Sequence, residues 1–280
     1  MPLAVCATPI GNLEDVTLRV LRELAEADLV LCEDTRHTKG LLDRHEIRAK
    51  LLSYHQHNEA QRTAELLPRL AAGERMALVS DAGLPGVNDP GARLIAAALE
   101  TGIQVTVLPG PSAVDTALVS SGLAGERFQF LGYLPRGGKA LDALWADLAT
   151  WPHPAVAFES PKRLPASLRS LAAALPDRPV AVCRELTKRF EEVARGTAVE
   201  LAARFSEPPK GEITLVVGAP GASGAESAAG AGAGDALAAA LGAVVELVAA
   251  GVPRRQAADV VARLARVSRN TLYAESLKSR

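Results

Sequence analysis

Short, nearly unbroken apolar runs recur through the first half of the chain, at Leu3–Ala7, Leu29–Cys32, Met76–Ser80 and Val105–Leu108. Runs of this length, closed off by Gly, Pro or charged residues, read as strands buried on both faces. Between them the period changes. Val16, Val20, Leu21 and Leu24 fall on one face of a helix, and further helices are expected near Thr38–Arg44, over Ala60–Ala72, over 92–100 and after Ser112. A short extended piece is expected at Leu51–Tyr54. Strands alternating with helices predict a mostly parallel, doubly wound sheet, which binds ligands outside the carboxyl ends of its strands.

The texture changes after Gly122–Arg127. Strands are expected at Phe128–Leu131, Ala155–Phe158, Val180–Cys183, Glu192–Arg195 and Glu212–Val217, with one long helix at Leu164–Ala174. More strands and fewer helices predict a mixed sheet in a separate α/β domain. Ala219–Gly234 is almost wholly Gly, Ala and Ser and reads as a flexible linker. Leu237–Ala250, Arg254–Leu264 and Ser268–Leu277 then predict three short helices, with Gly251 ending the first and Pro253 opening the second. The expected boundaries are 1–122 and 123–218 for the α/β domains, 219–235 for the linker and 236–280 for the helical module.

Composition agrees with this division. A chain of 280 residues is long for one core, and its high aliphatic and low aromatic content suits an α/β protein. No apolar run approaches the roughly 18–20 residues of a membrane span. Nor does a basic region or cleavage site precede the first strand, so no secretory signal is expected. Cys6, Cys32 and Cys183 are scattered within apolar runs, which predicts buried thiols in a reducing cytoplasm. Charge is uneven. From Arg254 onward there are seven basic and two acidic residues, against 24 basic and 30 acidic before it. A basic tail on an acidic body suits contact with a polyanion such as nucleic acid, and equally suits a helical tail made basic for solubility.

Several candidate sites fall away on spacing. Val216–Gly221 lacks the G-x-G-x-x-G spacing of a dinucleotide loop, and no G-x-x-x-x-G-K-[ST] phosphate loop is present. His55 and His57 with Glu59 lack a third ligand at helical spacing, so a solvated strand face is expected there and no metal. Two strand ends remain: Ser80–Pro85 running on to Asp89–Pro90–Gly91, and Pro109–Ala113. Their glycines let backbone approach a ligand, and Ser80, Ala82, Ser112 and Ala113 leave room for a flat adenine and a ribose. Asp81 offers a carboxylate to a hydroxyl or a cation. Tight turns capping the next helices, with Asp89–Pro90 as a helix start, account for the same residues.

Thr8–Asp15 (TPIGNLED), Glu33–Thr38 (EDTRHT), Ser80–Gly83 (SDAG), Asn88–Gly91 (NDPG) and Arg184–Lys188 (RELTK) occur in this order. Together they resemble the RsmI family, bacterial small-subunit rRNA 2′-O-methyltransferases within the tetrapyrrole methylase superfamily. Leu84 departs from the threonine more usual in such chains. The resemblance implies two α/β domains with S-adenosylmethionine in the cleft between them, and methyl transfer to a cytidine ribose in the decoding region of 16S rRNA. Carried over, Pro9, the turn Val79, Ser80, Asp81 and Ala82, and the turn Ser112 and Ala113 would line the cofactor, with Glu159 and Thr214 closing over it. The attacking hydroxyl must lose a proton, for which Asp34, Glu185 and Lys188 are the candidates. Arg36 and Arg184 suit phosphate positioning, although Asp34–Arg36 and Arg184–Glu185 pairs would also brace loops. The basic helices would dock on the small ribosomal subunit, and the superfamily implies a homodimer. A methyltransferase of tetrapyrrole or corrin precursors and a non-catalytic ribosome-binding protein are the alternatives.

Overall fold

In the computed structural model, which describes residues 2–86, 88–221, 232–265 and 269–276, the first half forms one parallel sheet. Its elements are β1 (Leu3–Cys6), α1 (Leu18–Glu26), β2 (Leu29–Cys32), α2 (Thr35–Arg44), β3 (Leu51–Ser53), α3 (Glu59–Ala71), β4 (Met76–Leu78), α4 (Ala92–Glu100), β5 (Val105–Leu108) and α5 (Ala113–Ser121). The strand order is β3-β2-β4-β1-β5 with every pair parallel. Each residue of β1, β2 and β4 is buried, because helices cover both faces. Leu3, Val5, Leu31 and Leu78 pack on Leu66 and Leu70 of α3 and Leu94 of α4. Ala4, Cys6, Val30 and Cys32 pack on Val20 and Leu24 of α1 and Leu41 and Leu42 of α2. Two of these helix starts follow side-chain caps. Thr17 caps α1, so Val16 precedes the helix, and Asp34 caps α2 and starts it at Thr35, ahead of the expected Thr38.

The second sheet is mixed, as expected. It comprises β6 (Gln129–Tyr133), α6 (Gly138–Thr150), β7 (Ala155–Glu159), α7 (Leu164–Ala174), β8 (Pro179–Arg184), β9 (Glu192–Thr197), α8 (Ala198–Arg204) and β10 (Ile213–Val217). The order is β6-β7-β10-β8-β9, with β6 and β7 parallel and the rest antiparallel. Helices α6 and α8 were not expected. The apolar positions Leu141, Leu144, Trp145 and Leu148 of α6 do repeat at helical spacing, while α8 is one capping box and two turns. One sheet face packs Ala157, Val182 and Leu215 against Trp145, Leu168 and Leu201. The other packs Val156, Ala181 and Val216 against Ala117 and Leu118 of α5. Since α5 belongs to the first half by sequence, both sheets share one compact unit, Met1–Ala222.

The second unit is Ser223–Arg280. Its helices are α9 (Gly232–Ala249), α10 (Arg254–Ala265) and α11 (Arg269–Ser276), packed through Ala240, Val244, Ala257, Val261 and Leu272. Gly251, at φ 88°, closes α9 with its N–H on the Val248 carbonyl, as its position predicted. Within the expected linker, 232–234 are helical and 222–231 lie outside the described residues. Among the described residues no helix is long and apolar enough to cross a membrane. All three cysteines are buried and free, and burial pushes the Cys6 thiol up to about 12 and Cys183 to about 11.

Candidate active site

A cavity of about 900 Å³ lies between the carboxyl ends of the parallel strands and the inner face of the mixed sheet. Its size is that of a small-molecule or cofactor site. The parallel sheet contributes the loop after β4, with Ala82, Gly83, Leu84 and Asp89, and the loop after β5, from Pro109 into the first turn of α5. The mixed sheet contributes Phe158, Thr214 and Cys183. The first loop is pinned by backbone. Thr8 N–H donates to the Gly83 carbonyl at 2.8 Å, and Gly83 N–H donates back at 3.1 Å. Gly83 stands at φ 79°, a conformation that disfavours a side chain. The Thr8 hydroxyl holds the Ser80 carbonyl at 3.0 Å, and the Ser80 hydroxyl reaches the Gly83 carbonyl at 3.2 Å. At the second loop Ser112 caps α5 by accepting from Asp115 N–H.

Of the expected cofactor residues, Ala82, Ser112, Ala113, Glu159 and Thr214 line the cavity. Pro9, Val79 and Ser80 are buried outside that lining set, and half-buried Asp81 accepts the Asp34 N–H at 3.1 Å, joining the loops after β2 and β4. The Glu159 carboxylate is fully engaged: it accepts from Ser160 N–H at 2.6 Å, Ser167 Oγ at 2.5 Å and Arg163 Nη2 at 3.1 Å. The five expected charged residues are not among the lining residues, and each has a partner. Asp34 caps α2 and takes two bonds from the exposed Arg36, which hold its carboxyl down at about 2. Lys188 Nζ lies 3.0 Å from Glu185 and 2.9 Å from Glu212, and Glu212 is on the cavity wall. The Glu212 backbone N–H, then Lys188, lower the Glu185 carboxyl, while bonds to Glu212 and Glu185 outweigh burial and raise Lys188. Arg184 is paired with Glu192 at 2.9 Å and bonds the Lys210 carbonyl.

Residues 2–202 match the family model for Tetrapyrrole (Corrin/Porphyrin) Methylases. A protein of Mesorhizobium japonicum named Ribosomal RNA small subunit methyltransferase I is 48% identical over 77% of this chain and 74% of its own length. One of the same name from Synechocystis is 41% identical over 99% of this chain and 97% of its own. The chain belongs to the ribosomal RNA small subunit methyltransferase I family. Among solved structures, a uroporphyrin-III C-methyl transferase from Thermus thermophilus, complexed with S-adenyl homocysteine, has the same fold at TM-score 0.56 and 19% identity, covering 77% of this chain and 96% of that one. In this methyltransferase I family member, four of the motifs that suggested the resemblance follow β1, β2 and β4, and the fifth follows β8.

Sequence reasoning missed two parts of the site in this methyltransferase I family member. Phe128, Phe130, Tyr133 and Phe158, four of the ten aromatic residues in the chain, line this cavity. Phe130 and Tyr133 meet Phe158 edge-on, with centroids 5.0 and 5.5 Å away. The other part is Asp89, expected in the candidate loop but given no role there, with a helix start as the alternative. Helix α4 begins at Ala92 with Gly91 as its N-cap and no side-chain cap, so the Asp89 carboxylate is not used there. Burial, then Glu33 and Asp81, push Asp89 up to about 6, and burial and Asp81 also raise Glu33. His55 and His57 occupy the turn after β3, not a strand face: the Asn58 side chain bonds His55 at its backbone N–H and Nε2. Among the described residues no three His, Cys, Asp or Glu form a group able to hold a metal ion.

Proposed function

We propose that this protein transfers the methyl group of S-adenosylmethionine to the 2′-oxygen of a cytidine ribose in the decoding region of 16S rRNA. The observation that carries the reading is the cleft. It sets small-residue turns against an aromatic wall at the carboxyl ends of a parallel sheet, in a chain whose relatives are named for this class of reaction. The residues fit the cofactor: the Ala82–Gly83 and Ser112–Ala113 turns leave space for a flat base, and Glu212 on the cavity wall supplies negative charge for a cation. When bound, S-adenosylmethionine supplies an activated methyl group on a sulfonium. The chain then has to orient the ribose hydroxyl, exclude water and receive a proton.

In this reading the acceptor is the small ribosomal subunit, the protein works in the cytoplasm as a homodimer, and the basic helices of the second unit dock on RNA. Arg36 and Arg184 contact phosphates of the acceptor RNA. A transfer assay with labelled S-adenosylmethionine and small subunits from cells lacking the modification tests this. Label on a cytidine 2′-oxygen is expected. Label on a tetrapyrrole or corrin precursor, and none on subunits, overturns the RNA reading, and no label with any acceptor overturns catalysis.

A further inference from the structure

The two sheets touch at one informative point. Gly132, in β6, has φ 67° where the register with β7 shifts between Phe130 and Tyr133. A side chain at Gly132 would meet the Asn88 amide oxygen at 3.1 Å. Asn88 is itself left-handed, at φ 61°, a conformation asparagine tolerates better than most residues. The next residue on each side, Tyr133 and Asp89, lines the cavity. An irregularity in a strand beside a site commonly re-aims the following side chain. Here the irregularity and the Asn88 turn set an aromatic ring from one sheet and a carboxylate from the other on one cleft.

Asp89 differs from the other acids considered for proton transfer. Asp34 and Glu185 are engaged by Arg36 and Lys188. The ionisable groups facing Asp89 are Glu33 from the end of β2, Asp81 from the loop after β4 and the Tyr133 phenol, with the Ser80 hydroxyl as a hydrogen-bond partner. Glu212 and Glu159, each paired with a cation, also act on Tyr133. A carboxylate poised near neutrality is a better base than one held near 2.

We propose that Asp89 is the proton acceptor of the transfer, taking the ribose 2′-hydroxyl proton as that oxygen attacks the methyl carbon. This rests on the function proposed above. The oxygen–carbon bond forms as the sulfur–carbon bond breaks, its electron pair stays on sulfur, and the proton passes to Asp89 and then to water. Tyr133 lines the same cleft.

The test compares wild type, Asp89→Asn and Glu33→Gln in pH–rate profiles on small subunits, with calorimetry of S-adenosylhomocysteine and carbon-13 NMR titration of the aspartate carboxyls. Asp89→Asn is expected to lose about 10²- to 10⁴-fold in turnover with S-adenosylhomocysteine affinity unchanged. The wild-type rate is expected to fall on the acid side near pH 6, with the Asp89 carboxyl titrating at about 6. Removing the Glu33 charge moves both to lower pH. An Asp89→Asn variant at the wild-type rate overturns the proposal. So does an acid limb that stays in place in Glu33→Gln, or an Asp89 carboxyl titrating in the ordinary range near 4. A wild type that labels no subunit overturns the functional reading first and is told apart from these.

Discussion

Lys188 lies within 3.0 Å of two glutamates, and Asp34 and Glu159 each hold an arginine. Around Asp89, on the wall built by the parallel sheet, acid faces acid: Glu33 and Asp81 repel the charge that Asp89 carries. The two regions use the same residue types to opposite ends. A paired charge fixes a loop and gives up its reactivity, because its partner holds it in one protonation state. An unpaired carboxylate in a cleft costs stability when ionised and keeps a proton affinity suited to chemistry near neutral pH. On this view, paired sites affect how firmly the protein folds, and unpaired sites affect how rate varies with pH.

Glu159 is the paired carboxylate whose loss costs most. Its side chain is fully buried and accepts from Arg163, Ser160 and Ser167, so Glu159→Ala leaves Ser167 without its acceptor and Arg163 without its counter-charge, held only by the Leu134 and Pro135 carbonyls. Loss of about 3–5 kcal/mol is expected in urea unfolding, and a smaller loss shows the pair to be dispensable. Asp89→Asn is expected to do the reverse. Because folding raises the Asp89 carboxyl to about 6, the folded state holds that proton more tightly than the unfolded chain. Stability present at low pH is therefore lost as pH rises towards and through about 6. The variant should be more stable than wild type at pH 7, by about 1–2 kcal/mol after solvent screening, and no more stable at pH 3.

Lys188→Ala comes next, with a stability loss of about 1 kcal/mol, lower turnover and retained S-adenosylhomocysteine affinity. Weakened cofactor affinity would move Lys188 from the acceptor side to the cofactor side. The smallest effect belongs to Arg36→Ala, since Arg36 is exposed and its pair is open to solvent. Its thermal midpoint should match wild type, while its affinity for small subunits falls and the loss shrinks with added salt. Equal affinity at low salt removes Arg36 from RNA contact.

Much of the fold was legible because central strands covered on both faces read as continuous apolar runs, as β1, β2, β4, β8 and β10 do. Helix α6 was hidden by the glycines at its start, and α8 by its shortness. Within the site, the turns at Ala82 and Ser112 were legible because small residues act locally. The aromatic wall was not, since Phe158 reaches Phe130 and Tyr133 only through the pairing of β7 with β6. Asp89 was present in a visible motif, yet its proton affinity depends on burial in the cleft and then on Glu33 and Asp81, gathered by the adjacency of β2 and β4. No local pattern encodes that adjacency.

The most direct measurement is mass spectrometry of nucleosides from small subunits incubated with S-adenosylmethionine and either wild type or Asp89→Asn. 2′-O-methylcytidine is expected with wild type and almost none with the variant. A methyl group on a base, or the same yield of 2′-O-methylcytidine from both proteins, would contradict that expectation.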